Sequence, residues 1–419
     1  MKTRTQNLYY KTALALCVVT LPLTIQINNV CLIFLIIAWL FTGNFKEKYQ
    51  RLEQTSWIWF FLTFYLLHFI GLIYSSNVSN GFFELEKKIS FILFPIIIGS
   101  SIPISKTYFA LLKKGFIGSC LIVMVISLFL AYYLGHSQAN IPMNFDLNAN
   151  RQFQFFNPNA SPFWQYFSYL QVGGWIDVHP TYFSMYIIFC IAILFEELIH
   201  NKKGIILKVF FIVFFSSFLC FLASRVAIIT FVLVILFYIL KYFNKEKLVS
   251  VVAPSLLIVV IFFIAINPVT RFRLWQEPMN TDFNINEQTT EWSSVSLRLL
   301  EWRGSFSVIK QYWIKGVGTG SVQDALINYY SKFNTETFNK NYNSHNQYLQ
   351  TFIELGMIGV VALLAVMAYT AKTAWQRNDV LYFSFIIIFC LMCTTESMLE
   401  RQKGVVFFTL LHSLFLSTH

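Results

Sequence analysis

Charge is scarce in this chain. Only 12% of its 419 residues are Asp, Glu, Lys or Arg, and 56% are hydrophobic. A soluble protein carries roughly 25% charged residues, so the composition excludes an ordinary soluble enzyme and predicts a polytopic membrane protein. Cysteine is missing from every polar stretch: Cys17, Cys31, Cys120, Cys190, Cys220, Cys390 and Cys393 all fall in apolar runs. That argues against a disulfide framework and reads them as small buried hydrophobes. Cys390 and Cys393 have metal-motif spacing, but no second pair or nearby histidine joins them, so no metal site is expected. A nucleotide loop is also lacking, because Gly316, Gly318 and Gly320 have no following Lys-Ser/Thr. No cofactor is expected, and the energy for any chemistry must come from an activated substrate. The formal charge of +11 sits in small basic clusters between apolar runs, which reads as topology and not as a nucleic-acid surface.

The apolar runs predict an all-α fold of about 12 transmembrane helices, since a span needs about 20 mainly apolar residues. They start near Leu8, Asn28, Ser56, Ile89, Gly115, Thr181, Gly204, Val226, Leu248, Asn346, Val380 and Gly404. The first has the basic start of a signal peptide but no small-x-small cleavage site, and reads as an uncleaved span. Lys and Arg are richer in alternate short loops, which favours both termini in the cytoplasm. The chain then divides into N-terminal helices (1–135), a first outer loop (136–180), middle helices (181–267), a large outer loop (268–345) and C-terminal helices (346–419). Within the large loop, Val295, Leu299, Trp302, Phe306, Ile309 and Trp313 recur at helical spacing, with Ser294 or Ser296 to cap the start and Gly316 to stop it. That stripe fits a core helix of the loop, or a helix lying at the membrane surface.

Isolated charges mark where chemistry would occur. Arg225 lies at a very short turn between two apolar helices, where it is a functional group or a snorkelling anchor. Arg298 lies on the loop helix, where it is a solvated residue unless it has a partner. His345 falls where a helix enters the membrane, and a helix N-terminus attracts anions. Glu354 lies inside the same apolar run and needs a partner, and Gly356 and Gly359 permit close helix contact. Two arginines and a histidine on one side suit a diphosphate, which guanidinium forks match bidentately.

The stretch "HNQYLQTFIELGMIG" resembles the histidine and Gly-x-x-Gly signature of bacterial O-antigen ligases and the related O-antigen polymerases and protein O-oligosaccharyltransferases. "SRVAII" and "SLRLLEW" before "GVGTG" are similar to that family's two arginine segments. The resemblance covers roughly residues 180–400. It implies an inner-membrane enzyme of the GT-C type with its active site facing the periplasm. The donor would be a glycan on undecaprenyl diphosphate and the acceptor a lipid A–core sugar hydroxyl, or another lipid-linked unit in a polymerase. Arg225, Arg298 and His345 would be catalytic, without metal or nucleotide. His345 would act as general base or as a diphosphate ligand. Arg303, His179, Asn346 and Glu354 would contact diphosphate or acceptor; His179, beside Asp177, reads equally as a helix start. A transporter or flippase is disfavoured, because only His68 and Glu354 lie clearly within spans.

Overall fold

The fold is given by a computed structural model that describes residues 2–137, 164, 167, 169, 178–286, 289, 292–333 and 342–418. Most of the first expected loop, Asp177 included, lies outside the described residues. In chain order the helices are α1 (Lys2–Val19), α2 (Ile25–Phe41), α3 (Phe45–Gln54), α4 (Ile58–Ile73), α5 (Val78–Lys88), α6 (Ser90–Ser100) and α7 (Lys106–Ser137). There follow α8 (Pro180–His200), α9 (Ile205–Leu222), α10 (Arg225–Tyr242), α11 (Lys247–Ile266), α12 (Ser294–Tyr312), α13 (Val322–Tyr330), α14 (Gln347–Gln376), α15 (Val380–Met392) and α16 (Gln402–Ser417). A short turn of π-helix covers Phe272–Gln276.

All twelve apolar runs lie in helices, but they are not twelve equal rods. Six described helices are long and apolar enough to cross a membrane, or seven if α2 and α3, which meet at 109°, form one bent span. The chain is a multi-pass membrane protein on these helices. The run near Ile89 yields the 11-residue α6 and the last run the 16-residue α16, which pack against each other. α8 is the hub. It packs on α7, α9, α10, α11 and α15, and nearly all its residues are buried, as expected of a helix apolar on every side. Ile206, Leu240, Ile258 and Ile261 of the surrounding helices point outward and are exposed.

α14 is broken at Gly356, whose φ of 65° and ψ of −160° lie outside helical space. In the membrane, backbone groups freed by a break must be satisfied by protein, and here the segment 313–319 does so. Val317 N donates to Ile353 O at 2.8 Å, Gly318 N to Glu354 O at 3.0 Å, and Met357 N to Trp313 O at 2.9 Å. The same segment reaches α4, where Thr319 Oγ1 donates to His68 O at 2.7 Å. A Cβ on Gly356 would stand 2.2 Å from Ile314 O. Gly356 therefore serves a loop seated in a broken helix, and not the helix–helix contact its Gly-x-x-Gly spacing suggests.

The large-loop helix forms as α12, but its cap and buried face differ from the expectation. Ser293 is the N-cap, in a reciprocal capping box with Ser296. The buried face carries Leu297, Leu300, Glu301, Gly304, Val308 and Ile309, while Phe306 and Trp313 are exposed. The apolar stripe read from the sequence is thus divided: Phe306 and Trp313 point outward, Val295, Leu299 and Trp302 are half-buried, and Ile309 belongs to the buried face. A second small core, Leu297, Leu300, Leu326, Tyr330 and Ile353 among it, ties α12 to α13 and to the first turns of α14.

Candidate functional site

His345 immediately precedes the cap of α14. Its φ is +41°, an uncommon conformation for a non-glycine residue, and its N–H donates to Asn343 Oδ1 at 2.9 Å. Asn346 is the cap: its Oδ1 accepts from Tyr348 N at 2.9 Å and Leu349 N at 3.1 Å. Its Nδ2 donates to Thr394 O at 2.8 Å, so in this arrangement Asn346 holds the helix start to the turn between α15 and α16. The imidazole stands between two buried carboxylates. Nδ1 lies 3.3 Å from Glu396 Oε1, and Nε2 lies 3.8 Å from Glu301 Oε1.

The electrostatics follow from burial and this flanking. Burial alone would lower the His345 pKa, but Glu301 and Glu396 together hold it above the ordinary histidine value. Burial alone would raise Glu396, yet the adjacent His345 keeps it well below the usual carboxylate range. Glu301, farther from the ring, is pushed up by burial to about 7 although His345 and Arg298 oppose the shift. Glu396 is thus the firmly ionised partner of His345.

Arg298 precedes Glu301 by three positions on α12, so both lie on one helix face. Arg298 Nη1 donates to Thr395 O, next to Glu396. Arg225, the first residue of α10, is fixed by three bonds: Nε to Arg273 O at 2.6 Å, Nη1 to Ser294 Oγ at 3.1 Å, and Nη2 to Glu277 Oε2 at 2.5 Å. Glu277 Oε1 also takes Ser294 N at 2.8 Å and Ser294 Oγ at 2.7 Å, which locks Arg225 to the start of α12. Arg225, Arg273 and Arg298 are close enough for their charges to oppose one another. The Arg273 guanidinium stacks on Tyr169, 3.4 Å from the ring centroid.

His179 caps α8, with Nδ1 accepting from Thr181 N at 3.4 Å. Burial lowers its pKa to about 4, against the pull of Glu396 and with help from the nearby Arg401, His345 and Arg298, so it is neutral at physiological pH. His179 also lines a groove of about 780 Å³ whose walls include Ile25, Leu32, Ile33, Phe83 and Arg401. Two expected residues stand apart. Arg303 is exposed and donates to Ile285 O at 3.0 Å. Glu354 faces a different cluster, 3.4 Å from His68 Nε2 and 3.7 Å from Lys88 Nζ. Lys88 continues that cluster to Glu400 at 3.0 Å and Glu84 at 3.2 Å.

The structure therefore brings Arg225, Arg298, His345, Asn346 and His179 to one region and adds Glu277, Arg273, Glu301 and Glu396, which the sequence reading passed over. Two signals were present. Glu301 follows Arg298 at helical neighbour spacing, and "TTESMLE" is a polar run within a long apolar stretch. No curated protein matches the chain. Residues 210–364, from α9 to the middle of α14, match the family model described as O-Antigen ligase; they contain Arg225, Arg298 and His345, and the match supports membership of the O-antigen ligase superfamily.

Proposed function

We propose that the chain is a GT-C-type, O-antigen ligase-like glycosyltransferase of the bacterial inner membrane. It would move a glycan from undecaprenyl diphosphate to a lipid A–core sugar hydroxyl on the periplasmic side. The observation that carries this reading is the convergence of Arg225 and Arg298 with a carboxylate-flanked His345, all within the family-matched segment. His345 takes the proton of the acceptor hydroxyl as general base. The freed oxygen bonds to the anomeric carbon of the donor sugar, and the bond from that carbon to the diphosphate oxygen breaks. The diphosphate leaves with the electron pair, and the arginines, whose charge is fixed, stabilise it. The groove beside His179 and Arg401, with its apolar walls, supports a lipid-borne substrate. In this scheme neither metal nor nucleotide takes part, and turnover persists in excess EDTA.

The test is the lipopolysaccharide of a deletion strain. Polymer that accumulates on its lipid carrier while core stays bare is the expected result. Core bearing a single repeat identifies instead a polymerase, which uses the same donor chemistry on a lipid-linked acceptor. Unchanged lipopolysaccharide overturns both.

A further inference from the structure

The turn that joins α15 to α16, residues 393–401, makes more contacts with the site than its length suggests. Cys393 O accepts from Gln347 N at 2.9 Å. Thr394 O accepts from Asn346 Nδ2 at 2.8 Å. Thr395 O accepts from Arg298 Nη1. Ser397 Oγ lies 3.3 Å from Asn343 Oδ1, the atom that holds the His345 amide. Leu399 N donates to Gln347 Oε1 at 2.6 Å. The turn is itself anchored by Tyr182 Oη, which donates to Ser397 O at 3.2 Å. In the middle of these contacts sits Glu396, 4% exposed, with Oε1 3.3 Å from His345 Nδ1. The turn lies beyond residue 364, outside the matched family segment.

We propose that Glu396 is the positioning residue of the site, holding the Nδ1–H tautomer of His345 so that Nε2 receives the acceptor proton. This rests on the general-base reading of His345. The geometry favours one tautomer. The nearer, ionised carboxylate lies 3.3 Å from Nδ1, an ion-pair contact not aligned as a hydrogen bond in this arrangement, whereas Glu301 lies 3.8 Å from Nε2, too far for a hydrogen bond. The Nε2 lone pair is therefore uncapped. In the step, the acceptor O–H bond breaks and its proton goes to Nε2, while the other proton stays on Nδ1, facing the Glu396 carboxylate. The imidazolium formed lies between two carboxyl groups, and its proton passes to bulk water when product leaves. A carboxylate that orients a histidine without itself taking the proton is the logic of the hydrolase triads. The charged and titratable groups around the pair are Arg298 and Glu301 from α12, His179 and Tyr182 from α8, Cys393 and Arg401 from the turn, and Tyr342, whose ring lies 5.6 Å from that of His345.

The experiment uses the full chain in nanodiscs, with the lipid-linked glycan that accumulates in the deletion strain as donor and lipid A–core as acceptor. Glu396→Gln should lower kcat roughly 10²–10⁴-fold with KM little changed. It should also move the acid limb of the pH–rate profile to lower pH, because the imidazole loses the anion that favours its protonation. Glu396→Asp should recover part of the rate. If Glu396→Gln folds less well, the rate per folded molecule and the position of the acid limb decide. An unchanged limb with an unchanged rate per folded molecule reduces Glu396 to a structural residue and overturns the proposal. His345→Ala separates the two ideas: wild-type rate there removes the base reading itself, while a dead His345→Ala beside an unaffected Glu396→Gln removes only the role of Glu396.

Discussion

At the scale of single residues, the proposed mechanism gives Arg225 two duties. Its side chain neutralises Glu277, which is only 2% exposed, and its charge also belongs to the arginine group of the site. Removing one partner of a buried pair typically costs about 3–5 kcal/mol. Arg225→Ala should therefore lower both the melting temperature and the rate of glycan transfer. Adding Glu277→Gln should restore much of the melting temperature and none of the rate. Thermal unfolding and transfer assays on the same preparations read the two effects separately, and a double variant that regains activity would leave Arg225 with its structural duty alone. Arg225, Arg298 and His345 were legible in the sequence because each is an isolated charge at the edge of an apolar or helical run. Glu277 and Glu396 were not, because a carboxylate is informative only once its partner is known, and their partners lie far along the chain; Glu301 had Arg298 three residues before it, but its distance to His345 is set only by the fold. Glu354 was legible as a group in need of a partner, but the identity of that partner, the His68 and Lys88 cluster, depends on how α4 and α5 pack.

At the scale of elements, the seam between the broken α14 and the segment 313–319 is a tightly constrained part of the fold. Gly356→Ala meets two penalties at once, a backbone conformation close to glycine-only and a Cβ 2.2 Å from Ile314 O. Gly204 provides the control, because its φ is also positive, +66°, but nothing lies within 4 Å of an added Cβ. Gly204→Ala should cost about 1–2 kcal/mol, the left-handed penalty alone, and leave the protein monodisperse. Gly356→Ala should sharply reduce the yield of folded protein. Equal yields and melting temperatures for the two variants would contradict the described seam. Helix positions were readable because apolar runs of this length have few alternatives in a membrane. The break was not, since "ELGMIG" has the pattern of a helix-contact motif and "GVGTG" that of a turn, and neither pattern names the other as its partner. The stripe on α12 left two readings open for a related reason: in a membrane protein an apolar face at the bilayer is as stable facing lipid as facing core.

At the scale of the whole molecule, the orientation in the bilayer follows from Lys and Arg placement and predicts that residues 268–345 face the periplasm. Asn284 is exposed, and all seven native cysteines are buried or half-buried, so Asn284→Cys should dominate labelling by an impermeant thiol reagent. Labelling in intact spheroplasts is the expected result, and labelling only after lysis would invert the topology. The number of crossings was less legible than their places. α6, α15 and α16 are short, and α16 is almost wholly enclosed by its neighbours, so hydropathy marks them without saying how far each extends through the bilayer.

The seated loop also sets where this protein tolerates recombination. A chimera that exchanges residues 268–345 for those of a relative cuts through a joint in which α4, α5 and α14 each supply surface: Gly71 would clash with the loop if it bore a Cβ, Asn80 Nδ2 donates to Gly320 O at 2.9 Å, and Ile353 and Glu354 lend the loop their carbonyls. Donor and host would have to agree at all of these points, so the crossover units for altering acceptor choice are the loop together with residues 68–81 and 353–357, inherited as one block.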